Sequence, residues 1–236
     1  MTAIAAAPLG FMKHRQKVLD LKPTQFAVGM LEVQEKIEIV RGYRKKQIRD
    51  FIDENPVPVV IGPDRELYLI DHHHFLAVCY HVGVKKVRIK VVKDLSKRRM
   101  SYAQFWKWMF KTRNAYPFCQ FGEGPRKAIY LPRDIRGLAD DPYRSIAWFV
   151  RKAGAFENSQ RNFAEFKWAN FFRERRLLDR FGHAGMSRAL VKAVSLAQTP
   201  AAKHLPGFGK LNLEEKGDAV KKVKKKGKEL NARADT

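Results

Sequence analysis

Residues 66–77 read ELYLIDHHHFLA, a short strand-like run followed by one acid and three consecutive histidines. Alternation before Asp71 predicts a strand, and the apolar residues after the histidines recur as on a short helix that closes at Gly83. The stretch therefore predicts a strand that ends at Asp71 and turns directly into a helix starting near His72 or His73. Three imidazoles are thereby placed at one helix N-terminus.

Other short β-prone runs surround this junction. Residues 57–61 (VPVVI) and 66–70 are joined by GPDR, a turn-rich link that predicts a β-hairpin. Residues 17–21 (KVLDL) predict an earlier strand, and residues 87–91 predict a later one because apolar and basic residues alternate there. Together these runs indicate a small sheet.

Helical patterns flank and follow the sheet. Residues 30–53 have helical spacing, which Gly42 could divide into two helices. After Leu95 the chain is mostly helical, and aromatic stripes there predict core packing. Four helices are predicted there. The first starts with a capping box of Ser101 and Gln104, and the second starts at Asp141 followed by Pro142. The third starts at Asn158 or Ser159 and runs to Gly182, and the fourth starts at Ser187.

We therefore expect an α+β fold, with a small mixed β-sheet and helices followed by a helical C-terminal half. The expected parts are an N-terminal extension at 1–16, an α+β core at 17–95, a helical half packed on that core at 96–206, and a basic tail at 207–236. The tail contains KKVKKKGK and has few apolar residues, so we expect it to be mobile.

The chain of 236 residues carries 47 Lys and Arg against 24 Asp and Glu, a formal net charge of +23. Such a charge attracts polyanions and favours nucleic acid as a partner. The alternative is a solvated basic surface with no dedicated ligand. The candidate nucleic-acid-binding residues lie in the densest basic region and are Lys85, Lys86, Arg88, Lys90, Lys97, Arg98 and Arg99.

The two cysteines, Cys79 and Cys119, are too few for a disulfide scaffold and match no zinc pattern, so we expect them to be reduced and buried. The first residues, MTAIAAAPLGFMKHR, make a poor signal peptide because they lack a basic start. No run approaches the roughly 18 apolar residues that a membrane span needs. We expect a cytoplasmic protein without a membrane partner.

The three histidines allow several interpretations. A tag is disfavoured because the run is internal. A metal site is disfavoured because consecutive helical residues point about 100° apart, so His72, His73 and His74 cannot all reach one ion. His81 lies seven residues beyond His74, but no carboxylate completes a close set.

A phosphate site explains the position of the three histidines at a helix start better than a tag or a metal site does. The first turn of a helix presents N–H groups and a dipole that favours anions, and imidazoles there can donate to phosphate oxygens or exchange a proton. His72, His73 and His74 are thus candidate phosphate ligands, the latter two also candidate catalytic groups. Asp71 could orient a histidine or hold Mg²⁺ that accompanies a nucleotide. The plainer alternative is Asp71 as an N-cap beside partly buried histidines.

Two glutamates on the first predicted helix are further catalytic candidates. Glu32 or Glu35 could act as a general base, and Lys36 could neutralise charge that develops on a phosphoryl group. The alternative is a solvated helix face with an ion pair. The sequence FGEGPRK later in the chain is a weak phosphate-loop signal because it lacks a strand–loop–helix context.

The order of a strand, Asp-x-His-His and a helix that contains Ala77 resembles the phosphate-binding motif of the ParB and sulfiredoxin superfamily, in its ParB-like nuclease branch. The segment LKPTQFAVGMLEVQEK resembles the family's opening strand and the segment after it. DDPYRSIAWFVRKAGAF and FAEFKWANFFR resemble its helical C-terminal half. The likeness covers about residues 17–207.

The resemblance implies a small mixed sheet that holds a nucleotide or nucleic-acid phosphate at the helix after Asp71. Relatives of this fold include CTP-hydrolysing partition clamps, ATP-using sulfiredoxins, free-serine kinases and nucleases, so ATP or CTP is an implied ligand. Asp71, His73 and His74 match the motif, while His72 stands where many relatives have glycine. Phe75 stands where many relatives have a phosphate-clamping arginine.

The missing arginine argues against a serine kinase or a CTP clamp, because a phenyl ring cannot replace a bidentate charged donor. Lys36 or Arg126 could compensate. We therefore predict phosphodiester cleavage or phosphoryl transfer with magnesium, on nucleic acid first and a nucleoside triphosphate second. The alternatives are a non-catalytic DNA-binding or partition-related module and a small-metabolite, serine-like kinase. The sequence makes no prediction of oligomeric state.

Overall fold

The computed structural model describes residues 15–178 and 185–234, and the side chains up to residue 232. The chain forms two compact units. Of the described residues, the first unit takes 15–26, 33–119 and 123–139, and the second takes 27–32, 120–122 and 140–234. Within the described ranges, no helix is both long enough and apolar enough to cross a bilayer.

The strands in the described residues are β1 (Arg15–Lys17), β2 (Leu21–Pro23), β3 (Ala27–Val28), β4 (Val57–Ile61), β5 (Leu67–Leu69), β6 (Lys86–Asp94) and β7 (Ala139–Asp140). Six of these seven strands have two to five residues, and β6, predicted over residues 87–91, has nine. Five of the strands form the main sheet in the order β1-β6-β4-β5-β2. The predicted hairpin is confirmed, because β4 and β5 pair antiparallel, and the parallel pairs β4–β6 and β2–β5 make the sheet mixed.

The prediction of one strand over residues 17–21 is wrong. β1 ends at Lys17, a 3-10 turn covers Val18–Asp20, and β2 begins at Leu21. The reason is topological, since β1 and β2 lie at opposite edges of the sheet. The chain has to leave one edge and cross to the other, so one continuous strand cannot serve both.

Four helices accompany the sheet along the chain, α1 (Met30–Arg41), α2 (Lys45–Asp53), α3 (His73–His81) and α4 (Tyr102–Lys111). The predicted break at Gly42 is confirmed. The capping box of α4 is confirmed too, because Ser101 Oγ accepts the Gln104 N–H (3.2 Å) and Gln104 Oε1 accepts the Ser101 N–H (2.8 Å). α4 buries Phe105 and Met109 in one cluster with Val60 and Tyr68 of the sheet, so it belongs to the first unit.

The second unit is helical, with α5 (Pro142–Lys152), α6 (Ala164–Glu174), α7 (Met186–Ala197) and α8 (Leu213–Ala234). Asp141 caps α5 as predicted, since its carboxylate accepts the Tyr143 N–H (3.0 Å). The aromatic stripes form the core: Trp168 is fully buried and stacks on Phe156 at 4.0 Å between ring centroids.

Three predictions for this half differ from the structure. α6 begins at Ala164 rather than near Ser159, because the Ser159 hydroxyl accepts the Arg161 N–H (3.2 Å) in a local turn before the helix starts. The prediction that this helix runs to Gly182 is wrong as well, because α6 ends at Glu174 and Arg176 just beyond it is left-handed (φ 48°); Gly182 itself lies outside the described residues. The lysine-rich segment expected not to pack forms the 22-residue helix α8, which buries Ala219 and Val223 in the core of the second unit.

Candidate phosphate-binding site

The junction between β5 and α3 is a sharp bend at His72. β5 ends at Leu69, α3 begins at His73, and His72 adopts the left-handed conformation with φ 67° and ψ 24°. This conformation costs an L-residue about 1–2 kcal/mol, whereas glycine adopts it freely. The bend is therefore consistent with the glycine that the resemblance implies at the position of His72.

Asp71 is a surface residue that makes a hydrogen bond to the backbone of the bend. Its Oδ1 accepts the N–H of His72 (2.7 Å), and the residue is exposed. A carboxylate has about four acceptor positions, so one backbone hydrogen bond leaves room for a cation or a donor. Asp71 is not the N-cap of α3, because His72 takes that position and the helix start has no side-chain cap hydrogen bond.

His73 is the buried member of the three. It is 5% exposed, and its Nε2 accepts the backbone N–H of Thr24 (3.1 Å). The Thr24 hydroxyl in turn donates to the carbonyl of Leu69 (2.6 Å), so the start of α3 is tied to the ends of β2 and β5. A nitrogen that accepts a hydrogen bond carries no proton, so this bond selects the neutral imidazole. His73 therefore fixes the position of the first turn.

His72 and Lys36 lie close to each other at this helix start. Burial lowers the pKa of His72, the nearby Lys36 ammonium lowers it further, and the Asp71 carboxylate opposes them. His72 Nδ1 is buried and accepts or donates no hydrogen bond within the described residues. The lowered pKa favours a neutral imidazole, which can accept a proton. His74, like His72, is half-buried.

Phe75, where the resemblance implies an arginine, belongs to an aromatic cluster. Its ring centroid lies 4.9 Å from that of Phe51 and 5.8 Å from that of His72. Of the two cations expected to compensate, Lys36 lies near His72, whereas Arg126 pairs with Glu123 (2.9 Å). Of these two cations, Lys36 is therefore the one whose charge acts on His72.

The two candidate general bases on α1 have different environments. Glu35 is half-buried and belongs to the first unit, as Lys36 does. Glu32 belongs to the second unit and is only 3% exposed, so the alternative of a solvated helix face is wrong for Glu32. Across residues 15–178 and 185–234, no three His, Cys, Asp or Glu side chains are grouped to hold a metal ion.

The basic residues of β6 share one face of the sheet. Lys86, Arg88 and Lys90 alternate with buried Val87, Ile89 and Val91. The antiparallel register sets Arg15 opposite Arg88 and Lys17 opposite Lys86, which adds two cations that the sequence prediction missed. Only strand pairing could have identified them. Lys85 is exposed just before β6, and Lys97, Arg98 and Arg99 are exposed in the turn after it.

Both cysteines are buried as expected, and they do not form a disulfide. Burial raises the pKa of the Cys79 thiol to about 12. A thiol with so high a pKa stays protonated and unreactive near neutral pH. Cys79 on α3 is therefore part of the core, although it lies only a few residues from the candidate site.

Comparison with known proteins places the chain in a family. The family model described as "Putative ParB-like nuclease" matches residues 14–174. The crystal structure of protein Atu1540 from Agrobacterium tumefaciens is similar at 36% identity, with a TM-score of 0.75, over 84% of this chain and 97% of that chain. A comparison with curated proteins gave no match. The predicted α+β fold and the predicted family are both confirmed, and the chain belongs to the ParB-like nuclease family.

Proposed function

We propose that this protein binds a phosphate group of nucleic acid at the N-terminus of α3 and catalyses phosphodiester cleavage or phosphoryl transfer there. The observation that supports this most directly is the left-handed bend at His72, which sets Asp71 and His72 at one helix start within electrostatic reach of Lys36. Strained backbone of this kind persists where surrounding structure holds it, and such positions cluster at functional sites.

Each group has a distinct role in this proposal. The first turn of α3 and the Lys36 ammonium stabilise the phosphate charge. His72, whose imidazole is neutral, takes the proton of the attacking oxygen as a general base, and His74 in its protonated form gives a proton to the leaving oxygen as a general acid. Glu35 is a further candidate base for the attacking water. His73 acts as a positioning residue through its hydrogen bond to Thr24.

A magnesium ion fits this site only with help from the substrate. Asp71 is exposed and can supply one carboxylate ligand. Mg²⁺ typically keeps several waters and takes one or two carboxylates plus substrate phosphates. Such an ion needs no cage of three protein ligands. The proposal therefore assigns Asp71 to a magnesium ion that arrives with the phosphate, from DNA, RNA, ATP or CTP.

The test is cleavage of labelled duplex DNA, single-stranded DNA and RNA, and turnover of ATP and CTP, each with Mg²⁺ or with EDTA. A free-serine arm in the ATP assay detects kinase activity. We expect Asp71→Asn and Lys36→Gln to lower turnover, and Lys46→Gln, an exposed lysine on α2, to leave it unchanged. The site is wrongly assigned if two results are found together: the parent turns over no substrate, and the double variant Lys36→Gln, His74→Ala binds every ligand with the parent's affinity.

One observation favours a second function, a nucleic-acid-binding module without chemistry. Phe75 packs on Phe51 where relatives carry a charged clamp, and the sheet face of β1 and β6 carries cross-strand pairs of cations. Arg15 is paired with Asp53 (2.8 Å) and Arg88 donates to the Asp53 carbonyl (3.0 Å), so the repulsion that a bound polyanion would relieve is that of Lys17 opposite Lys86. Steeply salt-dependent DNA binding that persists in Asp71→Asn and is not accompanied by cleavage would support this function.

A further inference from the structure

α8 is fixed to its own unit along a single face. Ala219, Val223 and Gly227 are buried and recur every four residues, and Leu230 continues the stripe. Positions four apart lie on the same side of a helix. A Cβ atom on Gly227 would come within 2.8 Å of Ser187 Cβ and 2.9 Å of Ser187 Cα. The backbone of α8 therefore lies directly against the start of α7, which sets the rotation of α8 about its axis.

The opposite face of α8 is a row of cations, which we call the lysine stripe: Lys221, Lys224, Lys225 and Lys228. At about 100° per residue these four positions fall within one sector about 100° wide, centred opposite the buried stripe. All four are exposed, and the Lys221 side chain is 82% exposed. Residues 216–228 contain seven lysines and one acid, Asp218, which pairs with Lys221 at 3.3 Å.

The lysine stripe works against the stability of the helix that carries it. Its members form like-charge neighbours three and four residues apart, an arrangement that destabilises a helix. Gly217 and Gly227 weaken α8 further, because glycine is a poor helix former. The helix therefore depends on its packing against α7, and the stripe is held outward in a fixed orientation.

We propose that the lysine stripe is a second nucleic-acid contact, which binds the phosphate backbone without reading its sequence. Lysine is a point charge that pairs with phosphates, and phosphate contacts position a protein on nucleic acid but carry no base information. A bilayer is a poorer partner, because an interfacial helix inserts an apolar face and α8 uses its apolar face for packing. α8 lies outside residues 14–174, so this contact is additional to the part of the chain that the family model matches.

The experiment measures the affinity of the full chain for a fluorescent duplex DNA of random sequence between 50 and 300 mM KCl. The test variant is Lys221→Gln, Lys224→Gln, Lys225→Gln, Lys228→Gln. The matched control is Lys45→Gln, Lys46→Gln, Lys107→Gln, Lys111→Gln, which removes the same charge from exposed positions on α2 and α4. Circular dichroism establishes that each variant is folded.

If all four lysines contact phosphates, the slope of log affinity against log salt becomes less negative by about 3 to 4 in the test variant. The affinity at 0.1 M KCl falls by roughly two to three orders of magnitude, while the control variant changes far less. Equal losses in both variants would overturn the proposal, because net charge alone would then explain binding. Binding to vesicles rich in phosphatidylserine, with no DNA binding, would also overturn it and identify a membrane surface.

The same measurement on Lys36→Gln separates this contact from the α3 site. The lysine stripe predicts that Lys36→Gln makes the salt slope less negative by about 1 at most, whether or not the protein cleaves nucleic acid. An unchanged slope in the stripe variant, with the affinity lost in Lys36→Gln, would place nucleic-acid binding at α3 and refute the stripe. If the parent does not cleave nucleic acid but its salt slope still depends on the lysine stripe, the proposed catalysis is refuted and the stripe is not.

Discussion

α3 and α8 are both proposed to face phosphate, yet they are built in opposite ways. α3 is nine residues long, is buried over most of its length, and gathers unlike groups at one end. α8 is 22 residues long, is buried along one face by small residues, and repeats the same cation along the other.

The difference separates chemistry from affinity. Catalysis needs unlike groups held at fixed positions around one phosphate, and the hydrogen bond from Thr24 to His73 supplies such an anchor at α3. Attraction to a polyanion needs only repeated charge that stays exposed, which α8 provides along its lysine stripe. Each helix can therefore be perturbed in a way that leaves the other unchanged.

The largest effect is expected from removal of the anchor of α3. His73→Ala leaves a cavity and removes the acceptor of the Thr24 N–H, so it should lower the free energy of unfolding by about 3 kcal/mol. His74→Ala, at a half-buried neighbouring position, is the matched control and should cost clearly less. Urea denaturation measures both. Equal losses would mean that His73 is not the anchor.

The two interior glycines of α8 should respond to alanine in opposite directions. Gly227→Ala places a Cβ against the Ser187 backbone, and overpacking of this kind costs about 1–3 kcal/mol. Gly217→Ala meets no atom within 4 Å, so it should stabilise the helix by about 0.5–1 kcal/mol. Thermal melting of both variants tests this difference. A Gly227→Ala protein as stable as Gly217→Ala would show that α8 is not held against α7.

A smaller, pH-dependent effect is expected at His72. Its pKa is lowered by burial and by Lys36, so between that folded-state value and an unfolded value of about 6.5 the unfolded chain binds more protons. Stability should therefore rise with pH through this window and be lost as pH falls through it. His72→Asn, which tolerates the left-handed backbone, should show a shallower slope in urea titrations between pH 5 and 8. Identical slopes in the two proteins would contradict the lowered pKa.

The smallest effect concerns repulsion within the lysine stripe. Lys224→Glu converts the neighbours Lys221 and Lys228 from like-charge to opposite-charge partners, each worth about 0.2–0.5 kcal/mol. We expect a slight rise in melting temperature at low salt, about half of it in Lys224→Gln, and no difference in 1 M NaCl, where charges are screened. A rise that persists in high salt would point to helix propensity rather than charge.

Local signals in the sequence predicted much of the fold correctly. The capping box at Ser101, the cap at Asp141, the hairpin of β4 and β5 and the division at Gly42 all rest on residues close together in the chain. The errors arose where another interaction competed. Ser159 closes a turn instead of starting a helix, and residues 17–21 divide between two edges of the sheet.

Local patterns were enough to predict a strand followed within a few residues by a helix with three imidazoles at its start, because periodicity and turn chemistry act over short stretches. Only the tertiary structure decided which imidazole is buried, since the partner of His73 is Thr24, 49 positions away. It also decided that the lysine-rich segment packs, through the contact of Gly227 with Ser187. Such partners are selected by chain topology and close packing, which no short stretch of sequence encodes.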